Sequence, residues 1–328
     1  MGLPTVASNT SSNLAQYPTV YYDRKAVAFL RANLHLYNCI EQKPMPDKSG
    51  VAMQIFGYTK LGANTTAATE GTPQSAGVAL TASTGTISLS QYVDYVTYSD
   101  KAVLTNISPV VTEGAELLAY RGALTVDNLI NTVVDTAAAA DSTSKIDIAH
   151  ASYMTAAINR KAAAQLRSVD AKSQPNGLFR GVISSLLSFD LINDTNAGGF
   201  QDAFRYIDPK ALQNSVDANT QRVAVIGNVE WFESNALPTV ANFASTGVNG
   251  YRGYVFGKDA FFGASLGKTQ LGQRNFSVMT REFAEGQNSL DPAAVIRAAS
   301  VYNFYFGCAK RPQGVNTFRR ITSESTIG

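Results

Sequence analysis

Two overlapping motifs in FFGASLGKTQLG, residues 261–272, could do chemistry. Gly263-Ala264-Ser265-Leu266-Gly267 has the G-x-S-x-G form of a nucleophile elbow, where a sharp strand-to-helix turn exposes a serine for acyl transfer. Gly267-Lys268-Thr269 has the ending of a phosphate-binding loop, whose backbone N–H groups curl around phosphates. Neither motif survives its context. The phosphate loop needs four residues between its first glycine and the G-K-[ST]. Gly263 to Gly267 leaves three, and one position earlier stands Phe262. The elbow needs an acid and then a histidine further along the chain. His35 and His150 are the only histidines, and both precede Ser265. In a chain with 25 glycines a chance G-x-S-x-G is unsurprising. A serine hydrolase using Ser265 is therefore only a remote alternative, and no catalytic residue is expected.

The other reactive side chains are as sparse. Cys39 and Cys308 form no C-x-x-C and share no zinc spacing with histidine, so neither a metal nor another cofactor is expected. They read as buried small apolar residues or free thiols, compatible with a reducing compartment. Net charge is +2, and the densest basic stretch is C-terminal: Arg297, Lys310, Arg311, Arg319 and Arg320. That is too dilute for a dedicated DNA-binding stripe, and reads as solvated surface charge. The N-terminal MGLPTVASNTSSN lacks the basic and apolar regions of a signal peptide. No apolar run approaches the ~18 residues of a membrane span. The expectation is a soluble protein made in the cytoplasm, with no membrane partner.

The elements that would position any site are more informative. The chain has 328 residues, 45% hydrophobic but only 16% charged, against about 25% in typical soluble domains. A protein that hides much of its surface against its own copies has this composition, because interface cores are depleted in charge; a secreted or adhesive β-rich protein is the alternative. Residues 1–20 read as a polar arm, followed by a short helix over Tyr22–Leu36 that Pro44 and Pro46 prevent from continuing. Val51–Lys60 and Thr86–Ser99 alternate as strands. The long segment between them has Glu70 as its only charged residue, which favours a hairpin arm lying on a neighbouring molecule over a floppy loop.

Ser108-Pro109 would start a helix running to about Ala139. Gly114 and Gly122 within it imply a bend, a close backbone contact, or two shorter helices broken at Gly122. A helix over residues 147–168 would be capped by Asp147. Short strands follow at Phe179–Ile183, Arg222–Ile226 and Tyr254–Phe256, and Ala293–Ile321 is strand-like.

This order, with several local strings, resembles the major capsid proteins of tailed bacteriophages with the Hong Kong 97 capsid fold, in the branch named after phage N-four. The strings are VYYDRKAVAFL (20–30), FGYTKLGANTTAATEGTPQSAG (56–77), QYVDYVTYSD (91–100), PVVTEGAELLAYRGALTVDNLI (109–130) and YVFGKDAFFGASLG (254–267). None is a chemical signature; their order of appearance carries the likeness.

The resemblance implies an α+β fold with an N-terminal arm (1–48) and an extended β-hairpin E-loop (49–100). It implies a peripheral domain with a long spine helix (101–144 and 271–328) and a mixed α/β axial domain (145–270). Ser265 would then be an ordinary turn serine. The implied function is structural: a shell of hexamers and pentamers, the icosahedral virion capsid, assembled in the host bacterial cytoplasm around double-stranded DNA held by weak non-specific contact. Scaffolding, decoration and portal proteins would be further partners, and an encapsulin-type compartment shell is the alternative. Lys60, Glu70, Thr72, Gln74, Gln91 and Tyr92 are the expected inter-subunit contacts.

Overall fold

The computed structural model describes residues 35–46, 50–71, 77–105, 110–195, 222–266, 278–282, 295–312 and 316–327. The expected helix at 22–36 lies outside these except for its last two residues, which form a turn, and the expected Ser108-Pro109 cap also lies outside. In chain order the strands begin with β1 (Glu41–Met45), β2 (Ala52–Tyr58), β3 (Ala82–Ser88) and β4 (Ser90–Ser99). Helices α1 (Asp100–Thr105) and α2 (Val110–Ala139) follow, then β5 (Lys145–Asp147), α3 (Ala156–Ser168), β6 (Phe179–Ile183) and α4 (Ser185–Ile192). The chain continues through β7 (Arg222–Ile226), β8 (Val229–Glu233), β9 (Tyr251–Phe256) and β10 (Phe261–Leu266). It closes with β11 (Val278–Glu282), β12 (Ile296–Lys310) and β13 (Phe318–Ser323).

Helix α2 is one continuous rod of 30 residues, about 45 Å long at ~1.5 Å per residue. It does not break at Gly122. Its buried stripe, Ala115, Leu118, Ala119, Ala123, Val126, Ile130, Val134 and Ala138, recurs every three to four residues. This stripe shares a core with Tyr302, Phe304 and Phe306 of β12 and with Phe256, Phe261 and Phe318. Small residues dominate the helix side of the contact and aromatic residues the strand side, so the two surfaces can approach closely.

Two larger sheets flank this core. In the first, β12 is the spine, with β4 along one edge and β10 and β11 at opposite ends of the other; β1 joins β10 in parallel. The second runs β5-β13-β9-β6-β8-β7. It encloses a separate apolar cluster with Trp231, Leu187, Leu166 and Ile321, under α3 and α4. The chain passes between the sheets at residues 257–260, where Phe256 and Phe261 meet edge to face at 5.9 Å.

Three expectations need correction. The single strand at 86–99 is two strands parted at Leu89, because β3 pairs with β2 while β4 pairs with β12. The helix expected from Asp147 starts at Ala156, with Thr155 as its cap. Residues 145–147 are instead a strand, held in parallel register with Arg320–Thr322. The basic C-terminal cluster is only partly solvated surface. Arg319 is buried and bonds to carbonyls of Asn316 and Phe318, while Arg297, Arg311 and Arg320 pair with Asp100, Asp259 and Asp135.

The pairings also cross the segment limits implied by the resemblance. Strands from the arm segment (β1), the hairpin segment (β4) and the axial segment (β10) all join the β12 sheet. Conversely β13, from the C-terminal peripheral segment, sits between β5 and β9 of the other sheet.

Candidate assembly surface

Strands β2 and β3 form a hairpin of their own, in register from Ala52–Ser88 to Tyr58–Ala82. Side chains alternate across it. Met53 and Ile55 of β2 and Ile87 of β3 face inward onto Phe262, Ala264 and Ala309 of the first sheet. Gly57 lies so close to Pro312 that a Cβ there would come within 2.9 Å of the proline carbonyl carbon. The root of the hairpin is thus fixed to the body by ordinary core packing.

Its other face is bare. Phe56 and Tyr58 are 61% and 66% exposed, and Val78 and Leu80 on the returning limb are 75% and 66% exposed. A backbone bond from Thr59 N–H to the Thr81 carbonyl (3.0 Å) is followed by described residues without helix or strand, all exposed. Large apolar side chains left in water beside one another mark a candidate interaction surface.

The expected contact residues divide into three groups. Lys60 and Glu70 are exposed beyond the hairpin ladder, Lys60 in an ion pair with Asp170, just past α3. Both partners are well exposed, so this tether to the chain's own body is weak. Thr72 and Gln74 lie outside the described residues. Gln91 and Tyr92 are engaged within the subunit. The Gln91 amide donates to Asn303 Oδ1 at 3.0 Å, and Tyr92 stacks on Phe304 at 5.5 Å. The residues not singled out in advance are Phe56, Tyr58, Val78 and Leu80. The alternation that sends Met53 and Ile55 inward already sends Gln54, Phe56 and Tyr58 outward.

Ser265 occupies no elbow. It lies within β10, opposite Pro44 of β1 on one side and Phe306 of β12 on the other, and is 3% exposed. An elbow serine must stand clear on a strained turn; this one is a buried strand residue, not the turn residue expected. Gly267, Lys268 and Thr269 lie outside the described residues. The two thiols sit in apolar surroundings, where burial pushes both Cys39 and Cys308 up to about 12, far from a reactive thiolate. Among the described residues no His/Cys/Asp/Glu cluster could hold a metal ion, and no helix is long and apolar enough to cross a membrane.

Two polar contacts tie helix α2 to the rest of the body. The Asp127 carboxylate, on the buried side of α2, accepts the backbone N–H groups of His35 (3.1 Å), Leu36 (3.4 Å) and Tyr37 (3.3 Å). It thereby ties the segment entering β1 to the long helix. Burial pushes this carboxyl up to about 7, against the opposing pull of the three N–H groups. Eight residues further along α2, Asp135 forms an ion pair with Arg252 of β9 and lies 3.7 Å from Arg320 of β13. The Tyr254 hydroxyl is within donating distance of Asn131 Oδ1 (2.5 Å) and Asp135 Oδ1 (2.9 Å). One proton serves one acceptor at a time. This seam joins the helix of the first sheet to the strands of the second.

No family model and no curated protein matches this sequence. Solved structures do match it. The capsid of Ralstonia phage GP4 aligns with a TM-score of 0.66 at 14% identity, covering 88% of this chain and 87% of that one. The cyanophage Pam1 capsid aligns at 0.61 and 13% identity, covering 86% and 87%. The capsid of Helicobacter pylori bacteriophage KHP30 aligns at 0.57 and 13% identity, covering 88% and 90%. Over most of its length the chain therefore has the mixed α+β fold found in these phage capsid structures.

Proposed function

We propose that this chain is the major capsid protein of a tailed bacteriophage, in the Hong Kong 97 lineage and its branch named after phage N-four. It assembles with its own copies, as hexamers and pentamers, into an icosahedral virion shell around double-stranded DNA. The observation that carries this reading is the likeness to the capsid of Ralstonia phage GP4, which runs through 88% of this chain and 87% of that one. Assembly takes place in the bacterial cytoplasm, with scaffolding, decoration and portal proteins as further partners, and the role is structural, without catalysis.

The physical parts suit that role. A closed shell is built from heterologous contacts repeated by symmetry. Each can be weak, because within a nucleated shell every further contact acts at high effective concentration. A hairpin rooted by Ile55 and Ile87 but bare at Phe56 and Tyr58 supplies such a contact without enlarging the body. We assign residues 1–48 to an arm and the hairpin within 49–100 to the E-loop. The peripheral domain takes 101–144 and 271–328, and the axial domain 145–270. By strand pairing β1, β4 and β10 go with the peripheral sheet, and β13 with the axial sheet.

The test is to express the full chain and image it by negative-stain electron microscopy. Closed particles of uniform diameter are expected. A monomer at high concentration, with Phe56 and Tyr58 seated on its own body, would overturn the reading.

A further inference from the structure

Charge in this chain is segregated. Residues 148–189 contain Arg160, Lys161, Arg167, Lys172 and Arg180 against a single acid, Asp170, a net of +4. The other 286 residues therefore carry a net of −2. Asp170 is itself paired with Lys60. Folding places three of these cations, Arg160, Lys161 and Arg167, on α3; Lys172 lies beyond the helix, and Arg180 is on β6, where it donates to the Asn38 carbonyl. The inner side of that helix is buried through Ala156, Asn159, Ala162, Ala163 and Leu166. It is anchored where Arg319 reaches Gln165, through its side chain and carbonyl, both at 3.2 Å. At ~100° per residue, Arg160, Lys161 and Arg167 fall within one outward stripe, all three exposed. The stripe is completed by Ala157, Ala164 and Ser168, which are too small to hold a partner away. Among the described residues no carboxylate pairs with Arg160, Lys161 or Lys172.

We propose that this face of α3 binds the phosphate backbone of double-stranded DNA and lines the lumen of the shell. The inference rests on the shell reading above, since it is enclosure that brings DNA to an interior wall. A low-relief basic stripe without base-reading side chains suits contact that is electrostatic and independent of sequence. The competing occupant is an acidic surface on another copy. Among the described residues Asp94, Asp100, Asp135 and Asp259 already face arginines of this chain and Glu324 faces His150, so an external polyanion fits the three-cation stripe better. Three cations per subunit give weak contact individually and dense contact across a shell, holding packaged DNA while leaving it free to slide.

The experiment compares full-length wild type with the triple variant Arg160→Gln, Lys161→Gln, Arg167→Gln. Binding of a fluorescein-labelled 30-base-pair duplex is followed by anisotropy from 25 to 300 mM salt. Unassembled wild-type subunits should bind, and closed empty particles should not, because their lumen is sealed. The variant should lose at least about tenfold in affinity near 0.1 M salt. Its slope of log affinity against log salt should flatten by about 2 to 3, roughly 0.9 for each phosphate contact removed. The same binding curve for variant and wild type would overturn the proposal. So would closed particles that bind as well as subunits, which would put the face outside. A soluble variant that no longer forms particles would assign the stripe to contact between copies, overturning it as well. Failure of wild type itself to form particles would sink the shell reading instead, and electron microscopy reports that separately.

Discussion

The ring of Tyr98, at the end of β4, lies against the backbone of Gly114 in the second turn of α2. A Cβ placed on that glycine would come within 2.7 Å of the ring carbon bearing the hydroxyl. Tyr98 is buried, and its hydroxyl donates to Ser300 Oγ of β12 at 3.3 Å. The glycine is the space that lets helix, edge strand and central strand meet at one point.

Gly114→Ala should therefore destabilise the subunit, although alanine is the better helix former by about 1 kcal/mol. The ring is buried and its hydroxyl is bonded to Ser300, so overpacking of about 1–3 kcal/mol should exceed the gain in helix propensity. Thermal unfolding of the unassembled subunit reads this as a lowered midpoint. Combining Gly114→Ala with Tyr98→Phe removes the oxygen nearest the new methyl group and should recover part of the loss. A single variant more stable than wild type would show that the contact is slack.

The Asp127 carboxylate makes a second prediction with a pH signature. Asp127→Ala leaves three backbone N–H groups without their acceptor, and should cost about 2–4 kcal/mol. Asp127→Asn keeps an oxygen acceptor and should cost less. The native carboxyl holds its proton up to about pH 7, whereas an unfolded aspartate releases it near 3.8. Between these values the native state binds more protons than the unfolded state. Stability from this group is thus greatest below about pH 4, falls as pH rises towards 7, and levels off above it. Urea unfolding at pH 4, 5.5 and 7.5 should show the advantage of wild type over Asp127→Asn shrinking with rising pH, by a few kcal/mol at most. An advantage that grows with pH would mean that the N–H groups outweigh burial.

The seam at Asp135 concerns how the two sheets are held in register. Arg252 and Arg320 are largely enclosed, and Asp135 faces both. Asp135→Asn removes the carboxylate paired with Arg252 and leaves Arg320 with Asp147 alone, at 3.7 Å. Full burial would make that cost ~3–5 kcal/mol; partial access to water brings it to about 2. Burial already holds Arg252 below the usual arginine range, in the direction of further destabilisation once the aspartate is gone. Subunit unfolding that remains cooperative but shifts to lower denaturant is expected. An unchanged midpoint would show that water already satisfies the arginines.

Much of the frame was legible in residue patterns, and the reasons for the rest are physical. Helix α2 could be read because its apolar stripe keeps a 3.6-residue period through 30 residues, long enough to outweigh Gly114 and Gly122. The strands β2, β6 and β7 stood out through short β-branched or aromatic runs. Lys145–Asp147 could not be separated from a helix start, since Asp147 is a good cap by type and only the distant Arg320–Thr322 makes the segment a strand. The division at Leu89 was hidden for the same reason: β3 and β4 read as one alternating run, and only their different partners part them. Arg319 and Arg320 looked like surface charge because local sequence does not reveal that their partners, Gln165 and Asp135, lie on helices far along the chain. At the assembly surface the long uncharged segment was visible, whereas Phe56 and Tyr58 required asking which way the second set of alternating side chains points.

That outward set gives the most direct test of the hairpin. Phe56→Ser with Tyr58→Ser changes only exposed side chains, so subunit stability should move by no more than about 0.5 kcal/mol. Assembly should fail or need much higher protein concentration, because two aromatic residues are lost from every copy of a repeated contact. Deleting residues 62–80 should have the same effect while sparing β3, which begins at Ala82, and the inward packing of Ile55 and Ile87. Circular dichroism and thermal unfolding check the fold, while light scattering with electron microscopy counts particles. A double serine variant that is stable yet forms particles at the wild-type concentration would show that the bare face of the hairpin is not where copies meet. The contact would then have to be sought on the outer side of β4, where Val93 and Tyr95 are also exposed.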